Sequence, residues 1–203
     1  APARSPLLQR LPEARGELRA DAPLAKATWF QVGGPAEVLF RPRDLEDLET
    51  FLKLKPADVP LTVLGAGTNV LVRDGGIDGV VVRLGKSFAD IAVQGDQIVA
   101  GAAAMDVRVA RAAAAAGISG MEFLSGVPGT IGGAIRMNAG AYGRELGDII
   151  VSAEAMGSDG QRRVFSSSEL GLGYRECAIP DSWIFVSATL RGATDAKGTI
   201  ESK

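Results

Sequence analysis

Histidine is absent from the 203 residues, and with it go the Ser-His-Asp triad, the Cys-His dyad, His-ligated metals and His general-base chemistry. Any catalysis must use other groups or a cofactor. Cysteine occurs once, at Cys177, so no intrachain disulfide can form, a Cys-based zinc site is excluded, and no metal site is expected. Neither charge sign is in marked excess: 22 Lys plus Arg stand against 24 Asp plus Glu, a formal net charge of −2. That balance offers no electrostatic argument for a nucleic-acid or acidic-membrane partner. No apolar run approaches the ~18 residues that a membrane span requires. The stretch 1–24 carries charges throughout and lacks the apolar centre of a signal peptide. A cytoplasmic protein is therefore expected. What is present is an ordinary globular balance of 46% apolar and 23% charged residues, which rules out wholesale disorder. A chain this long can bury roughly two-thirds of its unfolded surface. Glycine is abundant, at 26 residues, nearly twice the usual share of roughly 7%, and it is clustered.

Hydrophobic periodicity outlines the elements. Ser5 to Arg19 places Leu7, Leu8, Leu11 and Leu18 among charges and reads as one or two short helices, interrupted by Pro12 and Gly16. Ala36 to Arg41 reads as a strand. Leu45, Leu48, Phe51 and Leu52 mark an amphipathic helix over Asp44 to Lys55, ended by Pro56 and Pro60. Leu61 to Leu64 is expected as a short buried strand and Gly79 to Leu84 as another, completing an α/β unit. Beyond Gly85 short strands are expected at Ile91 to Val93 and Gln97 to Gly101, around the turn Gln94-Gly95-Asp96. An Ala-rich helix, Asp106 to Ala116, is stopped by Gly117. Val151 to Gly157 and Gln161 to Phe165 form a hairpin around Ser158-Asp159-Gly160, and Trp183 to Leu190 is a last strand. The texture change near Gly85 to Ala89 divides the chain into 1–86, with a helical segment at 1–20, and 87–192. Residues 193–203 read as a polar linker cut short.

Three clusters carry candidate chemistry. In Leu64-Gly65-Ala66-Gly67-Thr68-Asn69, glycines directly after a strand let the backbone turn and present N–H groups to an anion, with Thr68 and Asn69 adding side-chain hydrogen bonds. It is neither a P-loop, lacking the Lys-Ser/Thr pair, nor a dinucleotide fingerprint, its glycine spacing being broken. A plain tight turn between strands remains the alternative. In Gly126 to Gly143, glycine is so dense that an ordinary helix or strand is not expected. The passage suits a chain pressed against a flat or charged ligand, and its Val, Ile, Met and Tyr content argues for burial rather than a flexible surface loop. Gly173-Tyr174-Arg175-Glu176-Cys177 sets an Arg beside an aromatic, a possible carboxylate or phosphate clamp, though a solvated Arg is the blander reading. Cys177, with no His to activate it, reads as a packed small residue.

Thr28-Trp29-Phe30-Gln31-Val32-Gly33-Gly34-Pro35-Ala36, Leu64 to Asn69, Gly126 to Gly143 and Tyr174-Arg175 occur in this order and spacing in one family. Over about residues 24–191 the chain resembles the UDP-N-acetylenolpyruvoylglucosamine reductases, flavoenzymes of bacterial peptidoglycan synthesis. The resemblance implies an α+β, two-subdomain FAD-binding module of the vanillyl-alcohol-oxidase type, with a third domain closing over the substrate. It implies that Gly65, Ala66, Gly67, Thr68 and Asn69 hold the pyrophosphate of a noncovalent FAD. Thr130, Gly132, Gly133, Gly140 and Tyr142 would line the flavin and its ribityl chain, with Ile184 beside it. Arg175 would take the catalytic arginine position and Tyr174 would sit beside the substrate. The partners implied are NADPH and UDP-N-acetylglucosamine enolpyruvate.

The family commonly has Ser where Thr68 stands and often where Cys177 stands. Nothing after Leu190 matches the family's Gly-Ser-x-Phe-Lys-like stretch, with its proton-donating Ser, or its later catalytic Glu. The chain is therefore expected to be the FAD module of a longer enzyme, competent to bind cofactor without turning over. A different flavoenzyme on the same module, such as an oxidase of small alcohols or sugars, is disfavoured by the missing His and by Tyr174-Arg175. A non-catalytic binding domain would show no flavin absorbance.

Overall fold

The computed structural model describes residues 6–194; the linker expected at 195–203 lies outside them. Two compact units are present. One runs up to Ser87 and includes Gly157–Gln161; the other comprises Phe88–Met156 and the residues from Arg162 onward.

In the first unit, helix α1 (Pro6–Arg10) precedes strands β1 (Glu17–Pro23) and β2 (Pro35–Arg41). Helix α2 (Leu45–Leu54) and strands β3 (Leu61–Val63) and β4 (Ile77–Val82) follow. The sheet order is β1-β2-β4-β3, with β1 antiparallel to β2 and the other pairs parallel. The sheet is covered on both faces. On one, α2 seats Leu48, Phe51 and Leu52, and Phe51 stacks on Phe40 of β2 with ring centroids 4.0 Å apart. The other buries Ala22, Leu24, Ala36, Leu39, Leu64, Val72 and Val81 in one cluster. Leu24, Leu64 and Val72 come from loops, so the turn after β3 grows directly from the core.

Two expectations are corrected here. Glu17 to Arg19, read as helical, begins β1, whose register runs from Glu17 opposite Arg41 to Pro23 opposite Pro35. The period-2 signal was hidden because Glu17, Arg19 and Asp21 occupy one side of a strand at the sheet edge; only pairing with β2 defines it. The strand after α2 is also less buried than expected. Val63 is 44% exposed, because β3 is the opposite edge of the sheet.

A buried carboxylate staples the entry of this unit. Asp47 of α2 accepts the backbone N–H groups of Arg15 at 2.8 Å, Gly16 at 2.9 Å and Arg43 at 2.8 Å. Asp47→Ala would strand three partly buried donors at once, and the loss expected in urea denaturation is about 3 kcal/mol. A loss below about 1 kcal/mol would show that water replaces the carboxylate freely.

The second unit contains β5 (Ile91–Gln94), β6 (Gln97–Gly101), α3 (Asp106–Ala116) and β7 (Ile118–Ser119). Next come α4 (Ile131–Arg136) and the small hairpin β8 (Gly140–Ala141) and β9 (Arg144–Glu145). Strands β10 (Ile150–Met156) and β11 (Arg162–Ser166), helix α5 (Ser167–Leu170), and strands β12 (Ile184–Arg191) and β13 (Ala193–Thr194) complete it. Five strands form an antiparallel sheet in the order β11-β10-β12-β6-β5. Helix α4 packs on β12 and α3 on β5. Helix α3 has the expected bounds and ends on Gly117, whose φ of 73° is the left-handed stop that glycine adopts without strain. Residues 193–194, read as the start of the linker, instead pair with β7.

The glycine-dense passage is corrected in two respects. Ile131–Arg136 is a helix, with Gly132 and Gly133 inside it. Burial is one-sided: Ile131, Ala134, Ile135 and Asn138 face the core, while Gly126, Gly133, Gly140, Tyr142 and Gly143 are exposed. The bare Cα of Gly132 fits against the loop after β6, where an added Cβ would lie 3.1 Å from the Ala102 Cβ. Close packing, and not helix propensity, places glycine there.

Candidate functional site

The turn at 65–69 emerges between Leu64, which is buried, and Val70 at the surface. Among the described residues, no protein acceptor takes the N–H groups of Gly65, Ala66, Gly67, Thr68 or Asn69. Five consecutive unpaired donors make a concentration of partial positive charge suited to phosphate oxygens. The turn is held from behind. The N–H of Trp29 donates to Gly67 O at 2.9 Å, and a Cβ on Gly67, at φ +70°, would lie 2.1 Å from Ala27 O. Glycine at 67 is thus demanded by the neighbouring chain. Trp29 and Phe30, in the same supporting loop, are 68% and 61% exposed.

In the second unit, Gly133 differs from Gly132. A Cβ built on Gly133 would meet only Thr130 Oγ1, at 3.9 Å, so its open side faces space that the protein does not fill. Its N–H, like that of Thr130, has no protein acceptor. Nearby in sequence, Gly140 opens β8, and Tyr142 in the turn of that hairpin presents a ring that is 83% exposed, on a backbone at φ +54°. Ile184 is placed otherwise. The residue is 1% exposed, buried within the sheet.

Tyr174 and Arg175 occupy the two central positions of a tight turn closed by Gly173 and Glu176. Gly173 N–H donates to Glu176 O at 3.0 Å and Glu176 N–H to Gly173 O at 3.2 Å. Arg175 sits at φ +55°, a left-handed conformation costing roughly 1 kcal/mol for a residue with a Cβ. Its guanidinium lies 5.7 Å from the Tyr174 ring centroid and, among the described residues, has no carboxylate partner. The flank beyond the turn is pinned: Ala178 N–H donates to Leu170 O at 2.9 Å, and Cys177 Sγ reaches the same oxygen at 3.5 Å. Cys177 closes a loop, as a small packed residue does. Arg136, at the end of α4, donates to the carbonyls of Trp183 and Ile179 and lies over the Phe185 ring. An exposed guanidinium on a fixed turn can meet a carboxylate or phosphate bidentately.

A group that sequence reading passed over is Asp106, the first residue of α3. It is fully buried, and neither carboxylate oxygen has a partner among the described residues. Its backbone N–H donates to Gly129 O at 3.2 Å, next to Thr130. Burial pushes its carboxyl up to about 7. The unfolded chain releases this proton near pH 4, whereas the folded chain keeps it to about 7. Between those values the folded state binds more protons, so stability falls as pH rises and levels off above the folded pKa. Full displacement is worth roughly 4 kcal/mol. Asp106→Asn is expected to flatten the dependence of urea-denaturation stability between pH 4 and 8; an unchanged slope would show that the carboxyl is ionised in the fold. The sequence held no signal for this, since an Asp opening a helix is ordinary capping chemistry.

In the first unit the unpaired turn donors suit phosphate oxygens; in the second the open face of Gly133 and the exposed Tyr142 ring suit a flat ring. The chain belongs to the FAD-binding domain family, which matches residues 36–166. Within it, the chain is similar to UDP-N-acetylenolpyruvoylglucosamine reductases. That of Rhodospirillum rubrum is 51% identical, over 98% of this chain and 62% of that protein. That of Parvibaculum lavamentivorans is 54% identical, over 95% and 62%. The crystal structure of the reductase from Thermus caldophilus superposes with a TM-score of 0.80 at 33% identity, covering 94% of this chain and 66% of that one. The chain thus spans about three-fifths of the length of the curated relatives it matches. Among the described residues, no helix is long and apolar enough to cross a membrane.

Proposed function

We propose that this chain is the FAD-holding part of a reductase that converts UDP-N-acetylglucosamine enolpyruvate to UDP-N-acetylmuramate in peptidoglycan synthesis, with NADPH as reductant. The observation that carries the proposal is 51–56% identity, over 90–98% of the chain, to reductases of that name. The residues fit the cofactor. The free N–H groups of Gly65 to Asn69 would bind the pyrophosphate, and Thr130, Gly133, Gly140 and Tyr142 would lie along the flavin and ribityl chain. Gly132 supports them by bringing α4 close to the loop after β6.

When bound, FAD supplies hydride, drawn from NADPH, to the enolpyruvyl double bond. The chain's own contribution is electrostatic. Negative charge develops on the substrate carboxylate as the double bond is lost, and Arg175, which has no carboxylate partner among the described residues, is the group to stabilise it. Because the turn is already formed, no reorganisation is needed when that charge appears. Tyr174, 87% exposed beside it, would flank the substrate. The absence of His fits chemistry in which a cofactor carries the electrons.

An absorbance spectrum of the purified chain tests the cofactor assignment. Flavin bands are expected, and they should pass into the supernatant when the protein is denatured, since FAD is held noncovalently. A colourless protein that takes up no added FAD would sink the reading. For the reaction, UDP-N-acetylmuramate formed from NADPH and the enolpyruvyl substrate should be measured in a protein of the relatives' full length that carries this chain.

A further inference from the structure

Asn138 follows α4 at φ +39° and is 4% exposed. Both ends of its side-chain amide are engaged. Oδ1 accepts the N–H of Gly147 at 2.9 Å, and Nδ2 donates to Gly173 O at 3.0 Å. The two partners fix the orientation of the amide, since an N–H requires the oxygen and a carbonyl requires the nitrogen. Gly173 O also accepts from Glu176 N–H. One of its lone pairs therefore closes the Tyr174-Arg175 turn and the other ties that turn to Asn138. Among the described residues, Asn138 is the only side chain that hydrogen-bonds to residues 173–176. Gly147 follows the β8–β9 hairpin that carries Gly140 and Tyr142. A Cβ there would lie 3.3 Å from Asn138 Oδ1, so the glycine is fitted to the amide.

We propose that Asn138 is a positioning residue: its amide locks the Arg175 turn to the segment after the Gly140–Glu145 hairpin and so holds the guanidinium in register with the flavin-facing residues. The inference rests on the role given to Arg175 above. A donor and an acceptor on one short planar group are required. Asp offers only acceptors when ionised, and Gln is one methylene too long for both partners.

Asn138→Asp is the discriminating variant. It keeps the acceptor for Gly147 N–H and tolerates the positive φ, but it sets a carboxylate oxygen against Gly173 O. In the chain itself, timed trypsin digestion read by mass spectrometry should show cleavage after Arg175 about tenfold faster, the loss of about one hydrogen bond, with cleavage after Arg162 and Arg163 unchanged. Gly147→Ala, pressing a methyl on the same amide, should act in the same direction by roughly threefold and serves if Asn138→Asp does not fold. Unchanged cleavage after Arg175 in whichever variant folds would overturn the proposal.

Turnover supplies the readout that a purely structural role would not move. In a protein of the relatives' full length that carries this chain, Asn138→Asp should lower kcat about tenfold, with flavin content and the KM for NADPH unchanged. In an Arg175→Ala background it should add less than about twofold, because residues acting as one unit are non-additive. Losses that multiply would overturn the proposal. If Arg175→Ala alone leaves turnover intact, the role of Arg175 fails, and the structural tie is then decided by the digestion result.

Discussion

Arg175→Ala is expected to slow oxidation of the reduced enzyme by the enolpyruvyl substrate by roughly 10² or more, the cost of removing one preorganised charge partner from a developing anion. The measurement requires a protein of the relatives' full length carrying this chain. Bleaching of the flavin absorbance by NADPH should keep its rate; recovery of that absorbance on adding substrate should slow. The geometry supports this division. Arg175 sits on an exposed turn with its guanidinium 5.7 Å from the Tyr174 ring, and among the described residues it has no hydrogen-bond or ion-pair partner for its truncation to strand. Arg175→Lys should recover only part of the rate, since a point charge replaces a planar fork. If NADPH-driven bleaching collapsed instead while recovery was normal, Arg175 would belong to the reductive half of the cycle and the assignment would be wrong.

Gly133→Val is expected to weaken FAD binding by an order of magnitude or more while leaving the apo fold intact. Two adjacent glycines make the comparison internal. At Gly133 a Cβ meets only Thr130 Oγ1 at 3.9 Å, and Val is no worse a helix former than Gly. The branched side chain would therefore start from open space on the side proposed for the cofactor. At Gly132 the added Cβ meets Ala102 Cβ at 3.1 Å and Ala102 O at 3.2 Å, and Gly132→Val should instead lower stability by about 1–3 kcal/mol through overpacking. Flavin content after purification and the melting temperature of the apo chain separate the two. Undiminished flavin in Gly133→Val would remove that face of α4 from the cofactor site.

Sequence alone fixed those features whose physics is local. The 3.6-residue spacing of Leu45, Leu48 and Leu52 marked α2, expected over Asp44 to Lys55 and found at Leu45–Leu54 with Asp44 as its N-cap. Asp159-Gly160 placed the turn between β10 and β11, where Gly160 has φ 78°. The missing histidines excluded whole classes of mechanism before any fold was known. Motif order carried the family resemblance, because a glycine or an Arg-aromatic pair is visible wherever it stands in space.

Tertiary structure decided what depends on approach between distant segments. Strand β1 exists because β2 supplies its ladder; its first residues, Glu17 to Arg19, read as the end of a short helix. The glycines at 67, 132 and 133 look alike in sequence, yet Gly67 is required by Ala27 and Gly132 is packed closely on Ala102, while Gly133 alone of the three opens on unfilled space. Asn138 became a bridge from Gly147 to Gly173 only when chain 9 and 35 residues away closed on it, and only the fold buries Asp106 with no partner among the described residues. Periodicity and turn chemistry act within a few residues, whereas burial and hydrogen-bond pairing are properties of whichever surfaces the folded chain brings together.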